Sequence, residues 1–162
     1  MKKIFESERI RFVAVTEELL PAYLEMINDI DRVARLIGST KPYTEEQERA
    51  FVRQKLESGA PIFSMLEKAG GAFIGNIELM DVAHGAGELG IAITAQKQNM
   101  GYGYEAIQRM LEYGFQTLHL SRIYLNVFPN NARAIHVYRK CGFSEYAQTE
   151  RGISMEIIRT NT

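Results

Sequence analysis

A glycine-rich stretch at residues 98–104, Gln-Asn-Met-Gly-Tyr-Gly-Tyr, has the residue types needed to bind a phosphate group. It follows an apolar segment and begins a helical pattern. N–H groups in the first turn of a helix lack partners within the helix and lie at the positive end of its dipole, and glycine lets a ligand approach the main chain. The simpler alternative is a tight strand-to-helix turn. The predicted anion cradle consists of Gln98, Met100, Gly101, Tyr102, Gly103 and Tyr104.

The spacing of Gly101, Gly103 and Ala106 also matches the G-x-G-x-x-A fingerprint of dinucleotide-binding proteins. In that fold a second parallel strand ends in an acidic residue about 20 positions further on, whereas the next strand here carries Asn126 and Phe128. Roughly sixty residues remain, too few for the rest of such a fold. The chain has no Gly-Lys-Ser or Gly-Lys-Thr, which excludes a Walker phosphate loop. The phosphate therefore belongs to another cofactor.

A second informative stretch covers residues 126–143 and contains N-x-x-A-x-x-x-Y at 131–138, followed by Gly142-Phe143. Together with Q-x-x-G-x-G at 98–103, it resembles the two CoA-binding motifs of the GNAT superfamily of N-acetyltransferases. The resemblance covers roughly residues 86–147 and is strongest to the branch of ribosomal-protein N-terminal acetyltransferases and spermidine acetyltransferases. It implies acetyl-CoA as cosubstrate and an amine as acceptor.

Acetyl transfer to an amine requires a neutral nucleophile, a polarised carbonyl and a proton for the departing thiolate. The resemblance implies that the Tyr138 hydroxyl lies near the thioester sulfur as general acid, the alternative being a core tyrosine. Glu88 is the predicted base and Glu78 its rival. If the turn between their strands centres on Ala83, the two carboxylates face each other and one pKa rises. For both glutamates a surface position is the alternative.

The remaining predicted cofactor contacts lie on the strand before the cradle and in the second motif. Where that strand splays from its neighbour, its main chain is expected to pair with the pantetheine amides, and an N–H there would steady the developing oxyanion. Asn131 can cap its helix or bind pantetheine, and these uses compete for one side-chain amide. The residues assigned to this group are Ile91, Ala92, Ile93, Asn126, Asn131, Ala134 and Tyr138.

The elements that must position these residues follow the order β α α β β β α β α β β. Period-two segments predict strands at 9–15, 62–67, 72–82, 88–94, 122–128, 143–149 and 153–159. Helices are predicted from Thr16, from a capping box at Thr44 and Gln47, from Gly101 to near His119, and up to Cys141. We expect one α+β, GNAT-like domain over residues 1–162, with a mixed, mainly antiparallel sheet of about seven strands flanked by about four helices.

Composition excludes several classes of protein. The net charge of −1 and the scattered basic residues give no footprint for nucleic acid. The longest apolar stretches are far shorter than the ~20 residues needed to span a bilayer, so no membrane association is expected. A single cysteine and a charged beginning without a signal sequence predict a cytoplasmic protein. The three histidines lack metal-ligand spacing, so no metal is predicted.

The sequence therefore predicts an acetyl-CoA-dependent N-acetyltransferase that acts on a primary amine, either a protein N-terminus or a small molecule, by direct attack in a ternary complex. The family resemblance also suggests a homodimer. Polyamine acetylation is an alternative, although the connection around Arg151 is shorter than in spermidine enzymes. A noncatalytic acyl-CoA-binding or sensor domain is the alternative from another class.

Overall fold

The computed structural model describes residues 1–38 and 41–159 and places eight strands of these ranges in one sheet. In chain order the strands are β1 (Lys3–Glu6), β2 (Ile10–Ala14), β3 (Ile62–Glu67), β4 (Phe73–Ala83), β5 (Ala86–Ile93), β6 (Arg122–Val127), β7 (Ser144–Thr149) and β8 (Gly152–Ile158). The α-helices are α1 (Leu20–Ile27), α2 (Glu45–Ser58), α3 (Tyr102–Glu112) and α4 (Ala132–Cys141). The predicted α+β class is confirmed.

The sheet has the order β1-β2-β3-β4-β5-β6-β8-β7, and every neighbouring pair is antiparallel except β5 and β6. Within the described chain, this parallel pair is joined at three positions, from Ala86 opposite Arg122 to Glu88 opposite Tyr124. Beyond Glu88 the two strands separate. The sheet therefore has a cleft in its middle, between the second half of β5 and the second half of β6.

Helices cover both faces of the sheet. On one face, Tyr23 of α1 hydrogen-bonds with Ser64 of β3, and Lys55 of α2 pairs with Glu78 of β4. On the other face, α3 and the wider helical turn that follows it (Tyr113–Thr117) pack onto the main core, where a side chain added at Gly114 would lie 2.7 Å from Ile123. Each face thus has its own buried apolar cluster, the larger one under α3 and the smaller one under α1 and α2.

The structure differs from two of the expectations about local structure. β1 was not predicted, because its four residues include charged Lys3 and Glu6 and give too short a pattern. Regular α-helix ends at Glu112 rather than near His119, because the chain widens into a π-helical turn. The capping box of Thr44 and Gln47 is confirmed. Between α1 and α2 a short 3-10 turn spans Ala34–Ile37, and residues 39 and 40 lie outside the described ranges.

The predicted pairing of Glu78 with Glu88 is wrong by two residues. Glu78 lies opposite Gly90, and Glu88 lies opposite Met80. The turn is made by His84 and Gly85, both with positive φ, and the ladder shifts between Met80 and Ala83. This irregularity adds a residue that alternation alone does not reveal. The two carboxylates are therefore diagonal neighbours on the same sheet face.

Candidate active site

The helix α3 begins in a way that leaves its first N–H groups open. Gly101 precedes it in the left-handed region, with φ +82, and no side chain in the described ranges caps it. By contrast, Thr44 caps α2 and Asn131 caps α4. Because the first turn of a helix has no internal acceptors for its N–H groups, the start of α3 offers donors and a positive dipole end to an anion.

An ionic brace holds this loop against the N-terminal strands. Arg9 donates to the Met100 carbonyl at 2.9 Å and to the Glu105 carboxylate at 2.7 Å, and its guanidinium lies over the Tyr102 ring. Glu105 also accepts from Ser7 at 2.5 Å. Burial alone would raise the pKa of Glu105, but the hydrogen bonds from Ser7 and Arg9 outweigh it and lower the pKa. The conformation of the cradle is thus fixed from outside the cleft.

Side chains of the predicted cradle point in several directions. Gln98 donates to the carbonyls of Ile93 and Arg32, at 3.0 and 2.9 Å. The Tyr102 hydroxyl donates to Glu67, which also accepts from Lys97 at 3.0 Å. The side chains of Gln98 and Tyr102 are therefore engaged in hydrogen bonds within the protein. A phosphate would therefore meet the main chain here rather than the side chains of Gln98 or Tyr102.

Tyr104 and Met100 complete the predicted cradle. Tyr104 lies under the Lys140 ammonium, 4.3 Å from the ring centroid, and accepts a hydrogen bond from Gln108 at 3.1 Å. Because Lys140 belongs to α4, this contact joins the two helices that follow the cleft strands. Met100 is exposed at the loop tip.

The free main chain of β5 faces the cleft. The Thr94 N–H donates to Ile74 of β4 at 2.9 Å. Since an antiparallel ladder alternates, the main-chain groups of Ala92 also point to β4, while those of Ile91 and Ile93 point away from it, towards the gap beside β6. Ala92 is so close to β4 that a side chain at Gly75 would lie 2.0 Å from its carbonyl. The structure thus leaves Ile91 and Ile93, but not Ala92, with main chain directed into the cleft.

A polar chain surrounds Glu88 at the point where the cleft opens. Asn126 of β6 donates to Glu88 at 3.5 Å and accepts from Ser154 of β8 at 2.7 Å. The guanidinium of Arg151, in the two-residue turn between β7 and β8, lies 3.8 Å from the same carboxylate. The sequence predicted that Asn126 would contact the cofactor. In the structure its side chain contacts Glu88, the candidate base. Ser154 and Arg151 carry no sequence signal that predicts this position.

Glu78 lies on the same face of the sheet, closer to α2. Its carboxylate is 3.7 Å from the Lys55 ammonium. Burial raises the pKa of Glu78, and the nearby Lys55 opposes that effect. Opposite it, Gly90 has no side chain, and an added Cβ would come within 2.9 Å of Met80. Glu78 is therefore held by α2, whereas Glu88 lies at the cleft.

Helix α4 supplies the other predicted residues. Asn131 accepts from the Ala134 N–H at 3.3 Å, so its side-chain oxygen caps the helix. The Tyr138 ring packs against Phe143, 5.9 Å between centroids. Burial raises the pKa of Tyr138 to about 12, with a smaller contribution from Cys141. None of the described residues hydrogen-bonds its hydroxyl, which is therefore a free and neutral proton donor at physiological pH.

Neither a metal site nor a membrane segment is found in the described ranges. Residues 1–38 and 41–159 contain no group of three His, Cys, Asp or Glu side chains arranged to hold a metal ion. No helix there has the length and apolar character needed to cross a bilayer.

The chain belongs to the GNAT acetyltransferase family, since the family model of the acetyltransferase (GNAT) domain matches residues 9–144. The spermidine N(1)-acetyltransferase of Vibrio cholerae is 37% identical over 83 residues, which are 50% of this chain and 48% of that protein. The corresponding Escherichia coli K12 protein is 39% identical over 72 residues, 43% of this chain and 39% of that protein. The matches thus span half or less of these relatives.

Solved structures share the fold over nearly the whole chain. A GNAT-family acetyltransferase from Bacillus anthracis has a TM-score of 0.83 at 24% identity and covers 94% of this chain and 96% of its own. A spermidine N-acetyltransferase from Vibrio cholerae, solved with CoA and spermine, has a TM-score of 0.83 at 22% identity, with 93% and 96% covered. At these identities the likeness establishes the fold.

Proposed function

We propose that this protein transfers the acetyl group of acetyl-CoA to a primary amine, a protein N-terminus or a small amine, by direct attack in a ternary complex. One observation carries the proposal: β5 bears Glu88 where the cleft opens and leads into the uncapped start of α3. A base and an anion cradle thus lie along one strand that also offers free main chain. This arrangement suits a long, phosphate-bearing thioester.

The residues present fit acetyl-CoA. The N–H groups that begin α3 would bind the pyrophosphate, and the main chain of Ile91 and the N–H of Ile93 would pair with the pantetheine amides, because the Ile93 carbonyl already accepts from Gln98. Asn131 has its oxygen engaged as a helix cap, which leaves its N–H₂ group for a ligand. Lys97 lies near this cradle, but its ammonium donates to Glu67 at 3.0 Å and is therefore engaged within the protein.

Glu88 acts as the base in this proposal. It takes a proton from the acceptor ammonium, directly or through water, and the neutral nitrogen attacks the thioester carbonyl. A main-chain N–H of β5 in the cleft stabilises the oxyanion that forms on the carbonyl oxygen. When the C–S bond breaks, Tyr138 gives its proton to the departing thiolate, and the second proton that the acetylated nitrogen loses returns to Tyr138 directly or through water. Asn126 and Ser154 orient Glu88 through their hydrogen bonds.

Calorimetric titration of acetyl-CoA tests the cradle. The wild type should bind with a micromolar dissociation constant, and Gly101→Glu should abolish binding by placing bulk and negative charge at the start of α3. Gly70→Glu is the matched control, because Gly70 is also left-handed, with φ +92, but lies in an open turn. Absence of binding to a folded wild type would refute the proposal.

Turnover distinguishes the enzyme from a noncatalytic acyl-CoA sensor. CoA release over a panel of amines should occur with the wild type and be lost in the double variant Glu88→Gln, Tyr138→Phe, while acetyl-CoA still binds. Binding without release for every amine would favour the sensor.

Polyamine acetylation is the second candidate, favoured by the names of the spermidine acetyltransferases that this chain resembles. A homodimer and a cytoplasmic setting are also part of the proposal; the single cysteine, Cys141, is buried as a free thiol, in keeping with a reducing compartment. Size-exclusion chromatography with light scattering would test the dimer.

A further inference from the structure

Three partly buried carboxylates lie on the polar face of the sheet around the candidate site, and Asp81, which is exposed to solvent, lies close enough to Tyr124 to contribute to the raised pKa of that hydroxyl. Glu78 shares this face with Glu88, because Gly90 lies opposite Glu78 and two residues from Glu88. Glu156 shares it through Tyr124, which pairs with Glu88 on one side and Glu156 on the other. In these registers the three side chains form one acidic row on β4, β5 and β8, at the level of the sheet where the cleft begins.

Each carboxylate of this row already has a cation from the chain itself. Lys55 lies 3.7 Å from Glu78, Arg151 lies 3.8 Å from Glu88, and Arg122 lies 2.7 Å from Glu156. The acidic row is thus electrically balanced.

The three cations differ in how easily they can be displaced. The side chain of Arg151 is 72% exposed and comes from a two-residue turn, whereas Lys55 is 20% exposed and Arg122 is 32% exposed. Arg122 also donates a short hydrogen bond to Glu156 and lies over the Tyr124 ring at 4.5 Å. An incoming ammonium can therefore replace Arg151 on Glu88, while Lys55 and Arg122 stay on their partners.

We infer that the acceptor site takes an amine with one positive charge and discriminates against polyamines, and that Lys55 determines this specificity. The inference rests on the proposed function and names the substrate class of the same site. A monocation exchanges with Arg151 and leaves the charge of the site unchanged. A polyamine brings further ammonium groups, and burying a charge without its own counter-ion is costly.

Glu48 of α2 is the buried carboxylate outside this row. It lies near enough to Tyr23 to contribute to the raised pKa of that hydroxyl, and none of the described residues forms an ion pair with it. Burial raises the pKa of Glu48, which favours the uncharged form. It therefore does not supply a ready counter-ion for a second ammonium.

Replacement of Lys55 tests the inference. The ratio of kcat/KM for spermidine to kcat/KM for trialanine amide should be low in the wild type and should rise about tenfold in Lys55→Met, because Glu78 becomes free for a second ammonium. Lys68→Met removes a comparable lysine, 3.6 Å from Glu6 at the far side of the sheet, and should leave the ratio unchanged. Lys55→Arg keeps the charge and should retain the wild-type ratio.

Calorimetric titration of spermidine into the CoA-loaded protein gives a readout without turnover. Binding should be tighter to Lys55→Met than to either the wild type or Lys55→Arg. A wild type that prefers spermidine to trialanine amide, or an unchanged ratio and affinity in Lys55→Met, would overturn the inference and leave the proposed function intact. Failure of the proposed function looks different, because acetyl-CoA then does not bind or no amine causes CoA release.

Discussion

Asn126 and Glu88 are 38 residues apart in the chain, yet the Asn126 amide donates to the Glu88 carboxylate at 3.5 Å where β5 and β6 separate. This contact fixes the direction of the candidate base. Asn126→Ala should lower kcat about tenfold, the effect of losing one orienting hydrogen bond to a charged group, with little change in the KM for acetyl-CoA. Steady-state kinetics of the variant measures kcat and the KM for acetyl-CoA separately. Equal effects on both parameters would indicate a binding role instead.

Replacing the candidate base has a larger effect. Glu88→Gln should reduce kcat/KM for the amine by about 10² to 10⁴, the range of general base catalysis, because the ammonium keeps its proton. Affinity for acetyl-CoA should be retained. Glu112→Gln, on the exposed side of α3, is the control and should behave as the wild type. An active Glu88→Gln enzyme would move the role of base to Glu78 or to water.

Tyr138→Phe should reduce kcat by about 10² or more, because the thiolate then leaves without a proton. Since burial raises the pKa of Tyr138 to about 12, this donor stays protonated to well above pH 9. The wild-type rate should therefore not fall between pH 7 and pH 9 through ionisation of Tyr138. Tyr146→Phe, at an exposed position, is the control. Full activity in Tyr138→Phe would show that Tyr138 serves only to pack the core and is not the general acid.

The same raised pKa predicts a stability change in alkali. The neutral Tyr138 hydroxyl is favoured in the folded state, so its contribution is complete below the ordinary pKa of 10.0 and is lost as the pH rises towards about 12. Urea unfolding from pH 9 to pH 11 should show a smaller loss of stability in Tyr138→Phe than in the wild type. Parallel losses would contradict the burial of this hydroxyl.

Sequence patterns were sufficient where local chemistry decides the structure. The capping box at Thr44, the uncapped helix after Gly101 and the sheet of mainly antiparallel strands follow from residues close together in the chain. The positions of Asn126 and Lys55 do not follow from their neighbours in the chain. Asn126 reaches Glu88 because β5 and β6 are parallel neighbours, and Lys55 reaches Glu78 because α2 packs over β4; neither pairing leaves a local pattern.

Acid stability should depend on Glu105, which ties the cradle to the N-terminal strands. The hydrogen bonds from Ser7 and Arg9 lower its pKa below 4.5, so the stability they contribute is present above that value and is lost as the pH falls through the lower folded-state pKa. Urea unfolding between pH 6 and pH 3 should show a steeper loss in the wild type than in Glu105→Gln. If stability fell equally steeply with pH in both proteins, carboxylates other than Glu105 would account for the loss of stability in acid.

Gly75 allows the close approach of β4 and β5. A Cβ at this position would lie 2.0 Å from the Ala92 carbonyl, so Gly75→Ala should lower the free energy of unfolding by about 1–3 kcal/mol. At Gly103 the nearest contact would be an ordinary 3.5 Å to Ile93, and Gly103→Ala should stabilise α3 by up to about 1 kcal/mol. Chemical denaturation measures the free energy of unfolding of both variants. A similar decrease in Gly75→Ala and Gly103→Ala would contradict the prediction.

The position of β8 has a consequence for biosynthesis. This strand follows all the others along the described chain, but it lies inside the sheet between β6 and β7, and its Ser154 holds Asn126. A nascent chain that has emerged only as far as β7 therefore lacks both a complete sheet and an oriented Glu88. Because Met155 and Ile157 of β8 also belong to the core on which α3 packs, ribosome-bound intermediates that lack this late segment should be inactive.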